Sequence, residues 1–276
     1  MTNAIEIKHV FKSFDGKRGR NLVLDDVSLS IAAGTFVTIV GASGCGKSTL
    51  LRIVAGLESA DDGIVLVGGK EIDGPGVDRA MVFQDYSLFP WLTVEQNVLF
   101  SRRLGANKYD NLALERDAEE KRAASLISLV GLSASQDLYP SQLSGGMRQR
   151  IAIARALMSK PSIILMDEPF GALDAQTREV MQDLVLDVVE QEGTTIMFVT
   201  HDVEEALYLG TQVVLMSPHP GRIDTIYDVP LPDKRDADMR VDPKFLKLKR
   251  TVMDRIRETV GLSLDRSASR SVEAGA

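Results

Sequence analysis

The strongest constraint on the fold is a glycine-rich segment directly after a short apolar run. Residues 41–48 have the sequence GASGCGKS, which fits the pattern GxxxxGK[ST], and the run TFVTIV precedes them. A helical pattern follows over 47–56. In such a loop the backbone N–H groups surround phosphate oxygens, Lys47 contacts the β- and γ-phosphates, and Ser48 holds Mg²⁺. Chance gives such a match in on the order of one chain in a hundred, so we predict a phosphate-binding loop rather than an accidental glycine turn.

Apolar runs typical of strands alternate with helical patterns along much of the chain. The pairs are TFVTIV before 47–56, SIILMD before 176–192, and TTIMFVT before 203–209. This alternation predicts an α/β fold, with a parallel sheet and helices on its faces. Three strand-like runs, at 5–10, 22–31 and 64–67, have turn residues between them and no helix except the one after Lys47. They predict an antiparallel patch on the α/β core.

The middle of the chain favours helix. Between Gln84 and Leu143 the helical signal dominates, and the stretch 112–130 is rich in Ala, Leu, Glu and Arg. We therefore predict a helical subdomain at about 86–160 that is inserted into the core.

The C-terminal part has a second helical pattern. Apolar residues recur at helical spacing at Phe245, Leu248, Val252, Ile256 and Val260, and they predict a helix at about 243–260 that packs on the core. We expect the chain past the last core strand to have room for only one helix and a tail. The predicted domain spans 1–262, and the small polar residues 263–276 predict a disordered tail.

The composition restricts the classes of function. The net charge of −7 disfavours a nucleic-acid partner, because the phosphate backbone is negative too. The longest apolar runs fall far short of the ~20 residues that span a bilayer, so a membrane role requires a partner. The single cysteine, Cys45, excludes an internal disulfide and favours the cytoplasm. Its place at a helix start in the glycine-rich loop predicts a lowered thiol pKa, with a small buried filler as the alternative.

Two further segments have candidate chemistry. The run IILMDE ends in Asp167 and Glu168, where a strand end can place one carboxylate on Mg²⁺ and another on the attacking water. A helix cap or an ion pair is the alternative. Ser144, Gly145 and Gly146 open a strong helical pattern, which predicts a second anion-binding helix start or an ordinary serine cap.

In combination these motifs resemble those of the nucleotide-binding subunits of ABC transporters, over nearly the whole chain. GASGCGKST resembles the Walker A motif of that family, LSGGM its signature sequence, and IILMDE its Walker B motif. Gln84 stands at the position of the Q-loop, GALD (171–174) at that of the D-loop, and His201 at that of the switch histidine. The resemblance implies a P-loop NTPase ABC cassette with a mixed, RecA-like core, an antiparallel β subdomain and an inserted helical subdomain.

The resemblance also implies roles for individual residues. The expected catalytic residues are Glu168, His201 and Gln84. The expected Mg²⁺ ligands are Ser48, Gln84 and Asp167. The residues expected to bind ATP are Phe14, Gly41, Ser43, Gly44, Cys45, Gly46, Lys47, Ser48, Thr49, Ser144, Gly145, Gly146 and Asp174. Phe14 matches the adenine-stacking aromatic of the family, and a strand residue that faces the core is the alternative.

The implied activity is ATP hydrolysis between two copies in a head-to-tail dimer at the cytoplasmic face of the membrane. Transmembrane permease subunits, and indirectly a solute-binding protein, are the implied partners. The segments GPGVDRAMVFQ, LFPWLTVEQNV and SPHPGRI resemble the importer branch for nitrate, sulfonates and taurine, and the solute itself stays open. In the second segment Trp91 is the candidate partner contact, whereas we expect Leu88 and Leu92 to be buried within the helical subdomain.

Two other function classes share the phosphate loop. If the chain resembled a soluble ABC ATPase of DNA repair or translation, we would expect either two cassettes in tandem or one cassette split by a long coiled coil. The short stretch between Gln84 and Leu143 and the single Walker A motif disfavour both forms. A metabolic P-loop kinase leaves LSGGM unexplained. An ATPase that powers import through a separate permease is therefore the leading hypothesis.

Overall fold

The fold consists of two β-sheets with helices packed around them. The computed structural model describes residues 3–16, 19–100, 116–171, 173–232 and 235–261, so the predicted tail at 263–276 lies outside the described residues. The strands are β1 Asn3–Gly16, β2 Gly19–Ala32, β3 Phe36–Gly41, β4 Asp62–Val67, β5 Lys70–Glu71, β6 Arg79–Val82, β7 Ile163–Asp167, β8 Thr195–Val199, β9 Gln212–Ser217 and β10 Arg222–Asp228. The α-helices are α1 Lys47–Ala55, α2 Val94–Val98, α3 Arg116–Leu129, α4 Gly145–Met158, α5 Ala175–Glu192, α6 Val203–Leu209 and α7 Pro243–Thr259. Short 3₁₀ helices lie at Ser133–Ser135, Pro140–Gln142 and Ala237–Val241.

The larger sheet has the strand order β10-β9-β3-β8-β7-β6. Strand β3 pairs in parallel with β8 and β9, and β7 pairs in parallel with β8 and β6. Strands β3, β7 and β8 are buried along their whole length, which is why their sequences are continuous apolar runs rather than alternating ones. Because parallel strands end at the same edge, the segments that follow β3, β8, β7 and β6 lie side by side.

The smaller sheet is antiparallel, with the order β2-β1-β4-β5. In β1 the side chains of Ile5 and Ile7 are buried, whereas Lys8 is exposed and Glu6 is half-buried. This alternation is typical of a sheet with one face on the core and one face in water. The predicted antiparallel patch is confirmed.

The larger sheet separates two hydrophobic cores. In β7, Ile163 and Leu165 belong to the core that β1, β2, β4 and α1 share with the sheet. Ile164 and Met166, on the opposite face, belong to the core that helices α4 to α7 share with it. Successive strand residues point to opposite faces, so each inner strand contributes to both cores.

Helices α2, α3 and α4 form the helical subdomain. Helix α4 contacts α2, α3 and strand β6. Its first residues are capped by Ser144, whose Oγ accepts a hydrogen bond from the N–H of Met147 at 3.2 Å. The predicted stretch 112–130 corresponds to α3, except for residues 112–115, which lie outside the described part. The boundaries 86–160 stay a prediction.

The C-terminal region differs from the expectation in one respect. Strands β9 and β10 follow α6 before the last helix, and neither strand has a counterpart among the strand-like runs identified in the sequence. Short apolar segments such as VVLM in β9 do not by themselves distinguish a strand from a helix turn. In α7, Phe245 and Val252 are buried, whereas Val260 lies just beyond the helix and is exposed.

Within the described ranges, no helix is both long enough and apolar enough to cross a lipid bilayer.

Candidate functional site

The loop between β3 and α1 depends on a glycine at its end. Gly46 caps α1 with a φ of 90°, a conformation that L side chains rarely adopt. A Cβ at this position would lie 2.6 Å from Cδ2 of the fully buried Leu24, so a larger residue would also displace that side chain. The loop can therefore bring its backbone N–H groups together at the start of α1, where the helix dipole favours an anion.

The side chain of Lys47 folds back onto the start of this loop. Its Nζ donates hydrogen bonds to the carbonyl oxygens of Gly41 at 2.9 Å and Ala42 at 3.1 Å. The side chain is 6% exposed. Carbonyl oxygens solvate the ammonium group without neutralising its charge, so the loop keeps a positive site for a phosphate.

Ser48 and Asp167 join the phosphate loop to the end of β7. The hydroxyl of Ser48 donates a hydrogen bond to Oδ1 of Asp167 at 2.8 Å. Burial raises the pKa of the Asp167 carboxyl, and the hydrogen bond from Ser48 opposes this rise. A hydroxyl and a carboxylate are oxygen ligands of the kind that Mg²⁺ prefers, and a bound cation would favour the charged carboxylate at this buried position.

Glu168 and His201 meet at the same edge. Oε2 of Glu168 lies 3.1 Å from Nδ1 of His201, which follows β8. The N–H of Glu168 donates to the carbonyl oxygen of Val199 at 2.9 Å, and its φ is 46°. A left-handed glutamate costs on the order of 1–3 kcal/mol and persists only where its surroundings hold it. This backbone turns the carboxylate away from the strand direction and towards the histidine.

Gln84 lies next to the carboxylate pair in the sheet. It follows β6 by two residues, and Val82 in β6 pairs with Met166 in β7. Its side chain is exposed. The strand order thus brings Gln84 to the sheet edge at which Asp167 ends β7.

The start of α4 lies against the segments that follow β6 and β7. A Cβ on Gly145 would be 3.3 Å from the hydroxyl of Tyr86, and one on Gly146 would be 3.2 Å from Cδ2 of Leu173. Ser144 itself is exposed. This helix start therefore faces the segments after β6 and β7, with its cap residue open to solvent.

Comparison with known proteins agrees with this geometry. The family model described as ABC transporter matches residues 24–171, more than half of the chain. The chain belongs to the ABC transporter family. The match confirms the ABC cassette fold predicted from the sequence.

Individual members of the ABC transporter family align over most of the chain. The aliphatic sulfonates import ATP-binding protein SsuB of Bacillus subtilis is 42% identical over 262 residues, which are 95% of this chain and 97% of the relative. The nitrate import ATP-binding protein NrtD of Synechocystis sp. is 43% identical over 252 residues, with 88% and 91% covered. A solved dimer of the ATP-binding cassette MJ0796, in a post-hydrolysis state with ADP and Pi, superposes with a TM-score of 0.74 at 32% identity. That superposition covers 83% of this chain and 100% of the solved one. The protein is accordingly an ABC ATPase.

Two further candidate ATP-binding residues of this ABC ATPase lie at the surface. Phe14 in β1 is 41% exposed, with Nζ of Lys12 at 5.1 Å from the ring centroid. The alternative that Phe14 faces the core is therefore wrong. Asp174 caps α5 by accepting hydrogen bonds from the N–H and hydroxyl of Thr177, and these bonds lower the pKa of its carboxyl.

The remaining loop residues differ in exposure. Ser43 and Gly44 are exposed, and Thr49 is half-buried in α1. Cys45 is fully buried in the core below the loop. Burial raises the pKa of its thiol, although Lys47 acts to lower it. The predicted lowered pKa is wrong, because loss of solvation outweighs the nearby ammonium group.

Sequence reasoning missed two charged residues near the carboxylate pair. Arg178 and Glu205 line the same cavity as Glu168 and His201. Glu205 is buried, accepts a hydrogen bond from Nε2 of Gln182 at 3.0 Å, and has a pKa raised by burial. The sequence did hold a signal for Glu205, because the apolar residues ALYL follow it directly and indicate a buried face of α6.

Proposed function

We propose that this ABC ATPase binds MgATP between two copies of itself and hydrolyses it to drive import of a small anion through a separate permease. The observation that carries the proposal is the meeting of Ser48, Asp167, Glu168 and His201 at one sheet edge. The second anion-binding helix start, at Ser144, packs against the segments after β6 and β7, and its cap residue is open to solvent. The two features together suit a nucleotide that two copies share.

ATP binding follows from the phosphate loop. The β- and γ-phosphates replace the carbonyl oxygens of Gly41 and Ala42 as partners of Lys47, and they neutralise its charge. Backbone N–H groups of residues 43–49 supply the remaining hydrogen bonds. Phe14, exposed on its strand, stacks on the adenine, a contact of about 1–3 kcal/mol where it has been measured for bases.

The hydroxyl of Ser48 and the carboxylate of Asp167 are suited to hold Mg²⁺, with Gln84 as a further ligand from the neighbouring strand end. When bound, the cation neutralises charge on the β- and γ-phosphate oxygens. The 2.8 Å contact between Ser48 and Asp167 supports this assignment, because it brings two hard oxygen donors together beside Lys47.

Glu168 is suited to accept a proton from the attacking water. Its carboxylate is half-buried and reaches beyond the metal-holding Asp167 at the end of β7. His201, directly beside it, can donate to the γ-phosphate from the exposed side of the pair. Phosphoryl transfer depends mainly on position and electrostatics, and this pair supplies both.

The second copy completes the site. Ser144, Gly145 and Gly146 present capped helix N–H groups of α4 to solvent, where they can bind the γ-phosphate held by a partner. Asp174 of the D-loop lies near this face, since a Cβ on Gly146 would be 3.2 Å from Cδ2 of the preceding residue, Leu173. The dimeric state of the solved cassette MJ0796 supports a dimer here, for which we propose a head-to-tail arrangement.

The permease contact is assigned to Trp91. This side chain is 69% exposed, whereas Leu92 is 6% exposed and packs in the helical subdomain. An aromatic of this size on a surface is typical of an interface anchor. The protein would thus lie peripherally at the cytoplasmic face of the membrane, in line with the sulfonate and nitrate import named for its relatives, and a solute-binding protein would deliver the anion to the permease.

Growth of a deletion strain tests the proposal. A strain without this protein should fail to grow on nitrate, taurine or an alkyl sulfonate as the sole nitrogen or sulfur source. The wild-type protein should restore growth, and the Glu168→Gln variant should not. Normal growth on all of these sources, together with purification of the tagged protein without any integral membrane protein, would contradict the import function.

A further inference from the structure

Helix α4 holds the segment after β6 through two of its arginines. Nη1 of Arg155 donates to the carbonyl oxygen of Ser87 at 2.7 Å, and Nη2 donates to that of Tyr86 at 3.2 Å. The guanidinium carbon of Arg155 lies 5.7 Å from the ring centroid of Phe89. Near the start of α4, the guanidinium carbon of Arg148 lies 5.5 Å from the ring centroid of Tyr86. The segment therefore contacts α4 over two turns of the helix.

The backbone at this contact is strained. Tyr86 has a φ of 60° and Ser87 a φ of 47°, which places two consecutive non-glycine residues in the left-handed region. Such residues persist only where surrounding contacts hold them. The two hydrogen bonds from Arg155 end on the carbonyls of these two residues, so the guanidinium fixes the bend that their own preferences oppose.

The chain beyond the bend forms a second fixed unit, residues 89–93, which we name the Trp91 loop. Nδ2 of the fully buried Asn97 donates to the carbonyl oxygens of Phe89, Leu92 and Thr93 at 3.2, 3.0 and 2.9 Å. Oδ1 of Asn97 accepts from the N–H of Phe89 at 2.9 Å. The ring of Trp91 lies 5.7 Å from that of Phe89, centroid to centroid. A rigid loop thus presents the exposed tryptophan.

We propose that Arg155 is a positioning residue that transmits the state of the nucleotide site to the Trp91 loop. Gln84 precedes the strained bend by two residues. If the bend were free, rotation at Tyr86 and Ser87 would absorb a displacement of Gln84. Because Arg155 fixes the bend to α4, the displacement moves the Trp91 loop and the start of α4 together. The inference rests on the proposed function only in that a bound nucleotide reaches Gln84.

Intrinsic fluorescence gives a direct test. Trp91 is the only tryptophan of the chain, so its emission in the full-length protein reports on this loop. MgATP is titrated into the wild type, Arg155→Lys and Arg150→Lys, and equilibrium dialysis measures ATP affinity separately. Arg150 is the matched control, because it lies on the same helix and its Nη1 donates to the carbonyl oxygen of Val130 at 2.9 Å. Lysine keeps the positive charge and removes the two-pronged contact.

We expect MgATP to change the emission of the wild type and of Arg150→Lys. In Arg155→Lys the amplitude should fall by more than half, while the Kd for ATP changes by no more than about twofold. An undiminished amplitude in Arg155→Lys, an equal loss in Arg150→Lys, or ATP binding by the wild type without any emission change would overturn the inference. A wild type that does not bind ATP would overturn the proposed function as well, so the two failures are distinguishable.

A second variant keeps the test valid if Arg155→Lys does not fold. Adding Ser87→Gly relieves the bend, because glycine adopts a positive φ without strain. The double variant should fold, as circular dichroism would show, and should still lack the emission response to MgATP. A response of wild-type size in the folded double variant would overturn the role of Arg155.

Discussion

Nδ1 of His201 lies 3.1 Å from Oε2 of Glu168, so the chain beyond β8 meets the chain beyond β7 in front of the sheet edge. The histidine is the more exposed partner, at 69% of its side chain against 24% for the glutamate. If the nucleotide binds as proposed, it would therefore meet the imidazole first and the carboxylate behind it. This order suits a histidine that contacts phosphate and a glutamate that contacts water.

The Glu168→Gln variant tests the carboxylate. Glutamine keeps the shape and can still bond with His201, but it does not accept a proton at neutral pH. We expect kcat for ATP hydrolysis to fall by about 10²–10⁴, while ATP binding persists and a dimer accumulates in MgATP on size-exclusion chromatography. Glu190→Gln, at an exposed site on α5, should behave as the wild type. Hydrolysis at the wild-type rate by Glu168→Gln would show that Glu168 is not the base.

The Asp167→Asn variant separates stability from activity. Burial raises the folded-state pKa of Asp167 above its unfolded value of about 3.9. The neutral carboxyl therefore stabilises the fold below that pH, and this contribution is lost as the pH rises through the folded-state pKa. At pH 7 we expect the apo variant to have a Tm higher by on the order of a few degrees, with Mg²⁺-dependent hydrolysis lost.

Thermal unfolding at two pH values checks the origin of this gain. The difference in Tm between Asp167→Asn and the wild type should shrink as the pH falls from 7 towards 4, because the raised pKa of the folded-state carboxyl favours its neutral form as the solution becomes more acidic. A lower Tm for the variant at pH 7 would contradict the assignment. It would mean that the hydrogen bond from Ser48 outweighs the burial of the charge.

Alkylation of Cys45 tests its burial. The thiol is fully buried and its pKa is raised, so both access and thiolate fraction are low. We expect iodoacetamide to label the native protein at pH 7.5 far more slowly than the protein unfolded in guanidinium chloride. Stability should also fall as the pH rises above the unfolded thiol pKa of about 8.5, and this extra fall should be absent in Cys45→Ala. Equal labelling rates in the native and unfolded protein would contradict the buried position.

The Trp91→Ala variant tests the permease contact. Because the side chain is exposed, the isolated variant should fold and bind ATP as the wild type does. Loss of a central aromatic anchor weakens binding by about 2 kcal/mol or more, so co-purification with the permease and transport should both fall. Tyr139→Ala, at another exposed aromatic of the helical subdomain, is the control. Normal assembly and transport by Trp91→Ala would return Trp91 to an ordinary surface residue.

The sequence was informative wherever a local pattern has a single physical meaning. The runs TFVTIV, SIILMD and TTIMFVT correspond to β3, β7 and β8 because continuous apolar runs before helices suit buried parallel strands. The glycines around Lys47 predicted the phosphate loop for the same reason, since the backbone conformation at Gly46 favours glycine.

Features that depend on tertiary contacts could not be predicted in this way. The raised thiol pKa of Cys45 reflects burial under a loop that looks exposed in the sequence. The left-handed backbone of Glu168 is accompanied by a hydrogen bond to Val199 in the neighbouring strand. The hydrogen bond from Arg155 to Ser87 joins helix α4 to the segment after β6. Strand β9 was missed because its apolar segment is too short to decide between helix and strand without its neighbour β3.

The alternation of β7 between the two cores has a consequence for hydrolysis. Ile163 and Leu165 pack on one side of the sheet, Ile164 and Met166 on the other, and the same five-residue strand ends at Asp167. Repacking either core by even a methylene shifts neighbouring atoms, and we expect the strand to pass such a shift on to the carboxylate. With Asp167 in its proposed role, the turnover number would thus depend on the volume of side chains in two separate layers, and residues that never meet the nucleotide would be constrained by the reaction as well as by folding.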